Sequence, residues 1–175
     1  MGFTHVYTGD GKGKTSAAIG LLVRALGSGM SVYFGQFFKN GSDSEINILN
    51  KLKKILNLDQ LLTVKEYGYS NQENDNLNSI DIRNTINGFE DIKNALFSGL
   101  YDVVIADEIN IVINLGILTE EQVIDVIDRN TGPEFILTGR CAKESIIKKA
   151  NLVSEIKKIK HYCEEGLIPR KGIEN

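Results

Sequence analysis

Thr8-Gly9-Asp10-Gly11-Lys12-Gly13-Lys14-Thr15 is the stretch that decides how this chain reads. Before it stand the β-branched and aromatic residues Phe3-Thr4-His5-Val6-Tyr7, which predict a strand over 3–8. After it comes Ser16-Ala17-Ala18-Ile19-Gly20-Leu21-Leu22-Val23-Arg24, within a helix predicted over 14–27. Strand, glycine loop, Gly-Lys-Thr and helix together cradle a polyphosphate. The glycines let backbone N–H groups turn inward, the helix N-terminus adds partial positive charge, Lys14 is a fixed cation, and Thr15 offers a hydroxyl to Mg²⁺. The ligand class implied is a nucleoside triphosphate with its magnesium.

The loop departs from G-x-x-x-x-G-K-[ST] at one place. The first glycine belongs at position 8, which is Thr8, and comes one step late at Gly9. A dinucleotide G-x-G-x-x-G does not fit either, because Lys14 stands where its last glycine belongs.

Around this loop the chain alternates short apolar strands with amphipathic helices. Strands are predicted over 31–38, 62–65, 101–106 and 134–138, with a last one near 152–159. Helices are predicted over 43–57, 80–98, 108–115, 119–129 and 142–150. The Asn-rich stretch 68–79 reads as a loop, and the tail 160–175 has no clear period. Such alternation predicts a three-layer α/β fold, a mostly parallel sheet flanked by helices, in one domain spanning 1–175. Ligands of these sheets bind beyond the carboxyl ends of the strands. The loops there carry Gln36 to Lys39, Tyr67 to Gln72, Asp107-Glu108 and Gly139-Arg140.

Asp107-Glu108 follows the apolar run Val103-Val104-Ile105-Ala106. An acid in this place holds Mg²⁺ in phosphate-loop proteins, directly or through water, although an acidic pair also simply opens helices. Arg140 is placed to reach a phosphate or a carboxylate, or else is a solvated surface arginine. No Ser-His-Asp set is evident: His5 lies in the first strand and His161 in the tail. Bond-making power is therefore expected from the bound substrates.

Composition bounds the rest. With 175 residues, 42% hydrophobic and 25% charged, the chain suits one domain with a real core. A net charge of −3 argues against a broad nucleic-acid footprint. Cys141 and Cys163 lack metal-ligand spacing and suggest a reduced, cytoplasmic protein. No apolar run reaches the length of a membrane span, and no signal peptide is read at the N-terminus.

These motifs in this order resemble the phosphate-loop family of ATP:cob(I)alamin (corrinoid) adenosyltransferases. The resemblance rests first on the displaced-glycine loop followed by Ser16-Ala17-Ala18. It runs through Arg24-Ala25-Leu26-Gly27-Ser28-Gly29, Gln36-Phe37-Phe38-Lys39, Asp107-Glu108 and Leu137-Thr138-Gly139-Arg140. It continues through Ala150-Asn151-Leu152-Val153-Ser154-Glu155 and Lys160-His161 to Gly172-Ile173-Glu174, so it covers nearly the whole chain. It implies a RecA-like sheet, a homodimer, and an electron donor that reduces the corrinoid. It implies transfer of the 5′-deoxyadenosyl group of ATP to the Co(I) of a reduced corrinoid, with triphosphate released and ATP reversed in the loop. Mapped onto this chain, Gly9, Asp10, Gly11, Lys12, Gly13, Lys14 and Thr15 hold the triphosphate, Lys14 stabilises its charge, and Thr15 and Glu108 are the Mg²⁺ ligands. Arg24 and Arg140 are candidate nucleotide contacts, and the tail 160–175 is expected near the active site or a dimer interface.

The chain differs from the family in the stretch after the third strand. The family often has Phe-Thr-Trp there, and this chain has Gly68-Tyr69-Ser70-Asn71. Tyr69 is the candidate stand-in for the Phe on the corrinoid side, and Asn71 replaces the Trp. Two other classes remain open on the residues alone: a small phosphate-loop kinase and a non-catalytic ATP-binding module.

Overall fold

In the computed structural model, residues 2–39, 44–68, 78–166, 168 and 170–173 are described. Six strands form one sheet: β1 (Thr4–Thr8), β2 (Val32–Phe37), β3 (Leu62–Tyr67), β4 (Val103–Asp107), β5 (Glu134–Thr138) and β6 (Leu152–Glu155). Their spatial order is β3-β2-β4-β5-β1-β6, and every pairing is parallel. The helices are α1 (Lys14–Gly27), α2 (Ser44–Ile55), α3 (Ser79–Phe97), α4 (Ile109–Asn114), α5 (Glu120–Arg129) and α6 (Glu144–Lys149), with a 3₁₀ turn at Tyr162–Glu165. No helix among the described residues is long and apolar enough to cross a membrane.

Burial follows from strand position. The inner strands β2 and β4 are buried at every residue, which is why both read as near-continuous apolar runs. Side chains alternate between two cores. Val32, Phe34, Val103, Ile105 and Ile136 meet Ala18, Leu22 and Ala25 of α1 and Ile46 and Leu49 of α2. Tyr33, Phe37, Val104, Ala106, Phe135 and Leu137 meet residues of α3, α4, α5 and α6 on the other face. The same alternation puts Gln36, Asp107 and Thr138 on the α1 side, one step past the apolar residues of β2, β4 and β5.

Several boundaries differ from the sequence reading. The third strand runs to Tyr67, two residues longer, because all six of its residues pair with β2. The last strand ends at Glu155 rather than near 159. Ile156 N still donates to Thr8 O (2.8 Å), but Ile156 O then accepts from Gly11 N (2.8 Å), so the chain leaves the sheet to line the phosphate loop. Helix α3 starts at Ser79, where Asn78 accepts from Ile80 N and Asp81 N and Asp81 closes a capping box. An asparagine that read as loop is therefore the start signal of the helix.

On the second core, Gly88 of α3 lies against the Tyr67 ring, where a Cβ would meet ring carbons at 2.4 Å. Tyr67 in turn shares a 2.6 Å hydrogen bond with Tyr33 and donates to Asp91. Helix propensity favours alanine at position 88 by about 1 kcal/mol, and overpacking costs about 1–3 kcal/mol. Because the clash is at the root of a buried ring, packing decides the sign. Gly88→Ala is expected to lower the urea midpoint, and an unchanged or higher midpoint would contradict this packing.

Candidate active site

Strand β1 extends through Thr8, which explains the late glycine of the loop. Thr8 pairs with Glu155 of β6, and its Oγ1 accepts from Ala142 N (3.3 Å). The left-handed turn falls at Gly9, with φ +99°. A Cβ at Gly9 would stand 2.4 Å from Ile156 O, and one at Gly11 would stand 2.7 Å from it. The backbone of 156–158 therefore presses against the loop and admits only glycine at both places. Asp10 joins the same wall, its Oδ1 accepting from Lys158 N (3.1 Å), a bond that holds its carboxyl below the usual pKa.

Helix α1 begins at Lys14 on Gly13, with no side-chain cap. By contrast, α3 and α5 each carry a capping box. The first N–H groups of α1 are thus left for an anion. Lys14 is buried, and its Nζ donates to Gly11 O (2.7 Å). Burial lowers its pKa; Glu108 opposes that shift and Arg140 adds to it. Lys12 points the other way, with its Nζ donating to Ile173 O of the tail.

Under the start of α1 lies the carboxylate of Asp107, fully buried at the end of β4. Its Oδ1 accepts from Thr138 Oγ1 (2.6 Å), and its Oδ2 accepts from Gln36 Nε2 (2.9 Å) and Thr15 Oγ1 (3.3 Å). Burial raises its pKa, and the bonds from Thr138, Gln36 and Thr15 counter only part of that. Thr138 Oγ1 also accepts from Glu108 N (2.9 Å). Glu108 sits in the left-handed region, φ 64°, at the head of α4. Burial, and then its neighbour Asp107, raise its pKa.

A cavity of about 250 Å³ opens over these groups, lined by the loop from Gly11 to Ser16 and by Lys39, Glu45, Glu108, Arg140 and His161. A larger cavity of about 530 Å³ lies at the opposite, amino ends of the strands, around Tyr101, Asp102 and Pro133. The phosphate-loop cavity is the candidate chemical site, because it brings Lys14, Thr15 and Glu108 together.

The structure therefore gathers Gly11, Lys12, Gly13, Lys14, Thr15, Glu108 and Arg140 of the sequence candidates around one cavity, while Gly9 and Asp10 lie outside its lining, against the 156–158 segment. His161 lines that cavity and the Ile173 carbonyl meets Lys12, so both ends of the described tail reach the loop. Arg24 is not brought there. It is exposed in the last turn of α1, ten residues and about 15 Å of helix beyond Lys14. Tyr69 and Asn71 lie outside the described residues. The carboxylate that touches Thr15 is Asp107 rather than Glu108, and Gln36 was not singled out from its motif. Its register opposite Asp107 is the signal, and it becomes visible only once β2 and β4 are paired.

Glu108 carries a folding cost that can be measured. Its pKa in the fold is raised, so the fold binds its proton at a pH where the unfolded chain has released it. The penalty is full above the folded pKa and vanishes as pH falls to the unfolded value. Glu108→Gln is expected to raise the denaturation midpoint of the ligand-free protein at pH 8, with the gain shrinking on acidification through that window. A variant less stable than the parent at pH 8 would contradict this electrostatic picture.

Comparison with known proteins identifies the family. The sequence model of the family described as "ATP:corrinoid adenosyltransferase BtuR/CobO/CobP" matches residues 1–175. Corrinoid adenosyltransferase CobA of Salmonella typhimurium is 30% identical over 175 residues, covering 99% of this chain and 85% of that protein. The corrinoid adenosyltransferase of Pseudomonas aeruginosa is also 30% identical, over 99% of this chain and 83% of its own length. An uncharacterized Nostoc protein, all2391, is 33% identical, and there the match spans only 45% of the longer chain. Among solved structures, the KaiC-like protein PH0186 of Pyrococcus horikoshii aligns with a TM-score of 0.55 at 16% identity, over 98% of this chain and 75% of that one. That likeness concerns the fold alone, a phosphate-loop NTPase sheet. With its full length matched by the family model and its phosphate loop, acidic pair and Thr-Gly-Arg turn gathered at one cavity, the chain belongs to the ATP:corrinoid adenosyltransferase family.

Proposed function

We propose that this protein transfers the 5′-deoxyadenosyl group of ATP to the Co(I) of a reduced corrinoid and releases inorganic triphosphate. The observation that carries the reading is the grouping of Lys14, Thr15, Asp107 and Glu108 around one anion pocket, in a chain matched end to end by that family.

In this reading the triphosphate lies across the loop from Gly9 to Thr15, reversed so that its γ-phosphate takes the place an ordinary loop gives the α-phosphate. The uncapped N–H groups of α1 and the Lys14 ammonium face it. Lys14 gives up its bond to Gly11 O for a phosphate oxygen, and Arg140 adds positive charge from the β5 loop. The low-valent cobalt supplies the electron pair that forms the Co–C5′ bond. The bond from C5′ to the α-phosphate oxygen breaks, triphosphate leaves with the pair of that C–O bond, and cobalt ends as Co(III). The attack needs no general base. The protein aligns C5′ and stabilises the charge that builds on the leaving group.

Magnesium fits the donor set. Thr15 and Glu108 offer hard oxygen ligands, and no group of three His, Cys, Asp or Glu side chains among the described residues forms a metal cage. Mg²⁺ commonly takes one or two protein oxygens and fills its shell with phosphate and water. Bound there, it would neutralise charge on the leaving triphosphate. Asp107 takes the Thr15 proton in a hydrogen bond and so leaves the Thr15 lone pairs facing outward. A homodimer and a separate electron donor belong to the same proposal, on the strength of the family resemblance.

The test is anaerobic incubation with Mg-ATP and chemically reduced cobalamin. Formation of light-sensitive adenosylcobalamin is expected, with Lys14→Ala reducing the rate by at least about a hundredfold, as loss of a charge-stabilising donor does. Near-normal transfer by Lys14→Ala would contradict the assigned role of the loop.

A further inference from the structure

Gln36 is fully buried, and its two amide atoms have different circumstances. Nε2 donates to Asp107 Oδ2 at 2.9 Å, the same oxygen that accepts from Thr15 Oγ1. Oε1 has no hydrogen-bond partner among the described residues. A buried acceptor left unpaired is costly, so this atom calls for a donor. The surroundings narrow the choice. Strand pairing sets Gln36 beside Asp107 in β4 and beside Glu66 in β3. On the α1 side the amide is separated from the Thr15 hydroxyl by a single carboxylate oxygen. A water in the shell of a cation held at Thr15 would bring such a donor.

We propose that Gln36 is a positioning residue for the divalent cation, its Nε2 fixing the carboxylate that orients Thr15 and its Oε1 accepting a hydrogen bond from a cation-bound water. The inference rests on the reading that a hydrated divalent cation accompanies the triphosphate at Thr15 and Glu108. It adds a third side chain to that site, from a different strand, and explains why a polar residue sits where β2 otherwise carries only apolar and aromatic ones and glycine. It also ties the cation to the Phe37-Phe38-Lys39 turn. Phe38, at φ 59°, donates its N–H to Tyr67 O (3.1 Å), and Lys39 lines the cavity.

The experiment measures Mn²⁺ binding by the loss of its free electron paramagnetic resonance signal, with the full chain and saturating ATP. Metal-free ATP affinity is measured in parallel. Gln36→Met keeps the side-chain length and removes both hydrogen bonds. It is expected to weaken Mn²⁺ binding about tenfold, the equivalent of one hydrogen bond to a charged shell, with metal-free ATP affinity within about twofold of the parent. A second variant does not depend on Gln36→Met folding well. Gln36→Glu keeps the side-chain length and, sharing one proton with Asp107, keeps a donor to Asp107 Oδ2 and a free acceptor oxygen, so Mn²⁺ affinity is expected to stay within about threefold of the parent. A structural role alone would move the denaturation midpoint and leave Mn²⁺ affinity in place. Unchanged Mn²⁺ affinity in Gln36→Met, or a loss in Gln36→Glu as large as in Gln36→Met, overturns the role of Gln36 while the cation reading stands. A parent protein that binds no Mn²⁺ in the presence of ATP overturns both.

Discussion

The site depends on one buried carboxylate. Taking an ion such as Asp107 out of water costs several kcal/mol even after the protein relaxes. Each hydrogen bond from Thr15, Thr138 and Gln36 returns about 1.5–3 kcal/mol. Together these bonds balance much of the cost, and the pKa that remains raised shows that burial still has the upper hand. Each donor comes from a different element: α1, β5 and β2. The carboxylate thus fixes the start of the phosphate helix against the ends of the central strands, and through Thr138 it fixes the backbone that presents Glu108.

That arrangement sets buried charge and unpaired helix N–H groups where a substrate would satisfy them. Lys14 is buried on a backbone carbonyl, the first turn of α1 has no cap, and Glu108 is held beside Asp107 with its pKa raised. An anionic triphosphate would answer the first two and a divalent cation the third. Local cost at a site that gains from its ligands is the usual exchange between stability and function.

The fold was legible because its signals are local. The alternating apolar strands and amphipathic helices announced a parallel sheet, and the glycine loop placed its functional end. Asp107, Glu108 and Arg140 could be placed at the strand ends by that rule alone. What was not legible depended on pairing between distant residues. Gln36 and Asp107 are 71 residues apart in sequence, and only strand register makes them neighbours. Thr8 read as a strand residue from the sequence, but the late glycine looked like a departure from a motif until the pairing of Thr8 with Glu155 showed the loop backed by a segment that the sequence had assigned to the last strand. Arg24 was carried by its motif toward the nucleotide, and helix geometry takes it to the far end of α1.

The central claim is that this loop serves a reaction at C5′ of ATP rather than at its γ-phosphorus. Phosphorus-31 NMR of the products, taken after anaerobic turnover with reduced cobalamin, tests it most directly. The account predicts inorganic triphosphate in step with adenosylcobalamin, one for one, with no ADP. Accumulation of ADP, with phosphate or a phosphorylated acceptor, and no triphosphate would contradict it.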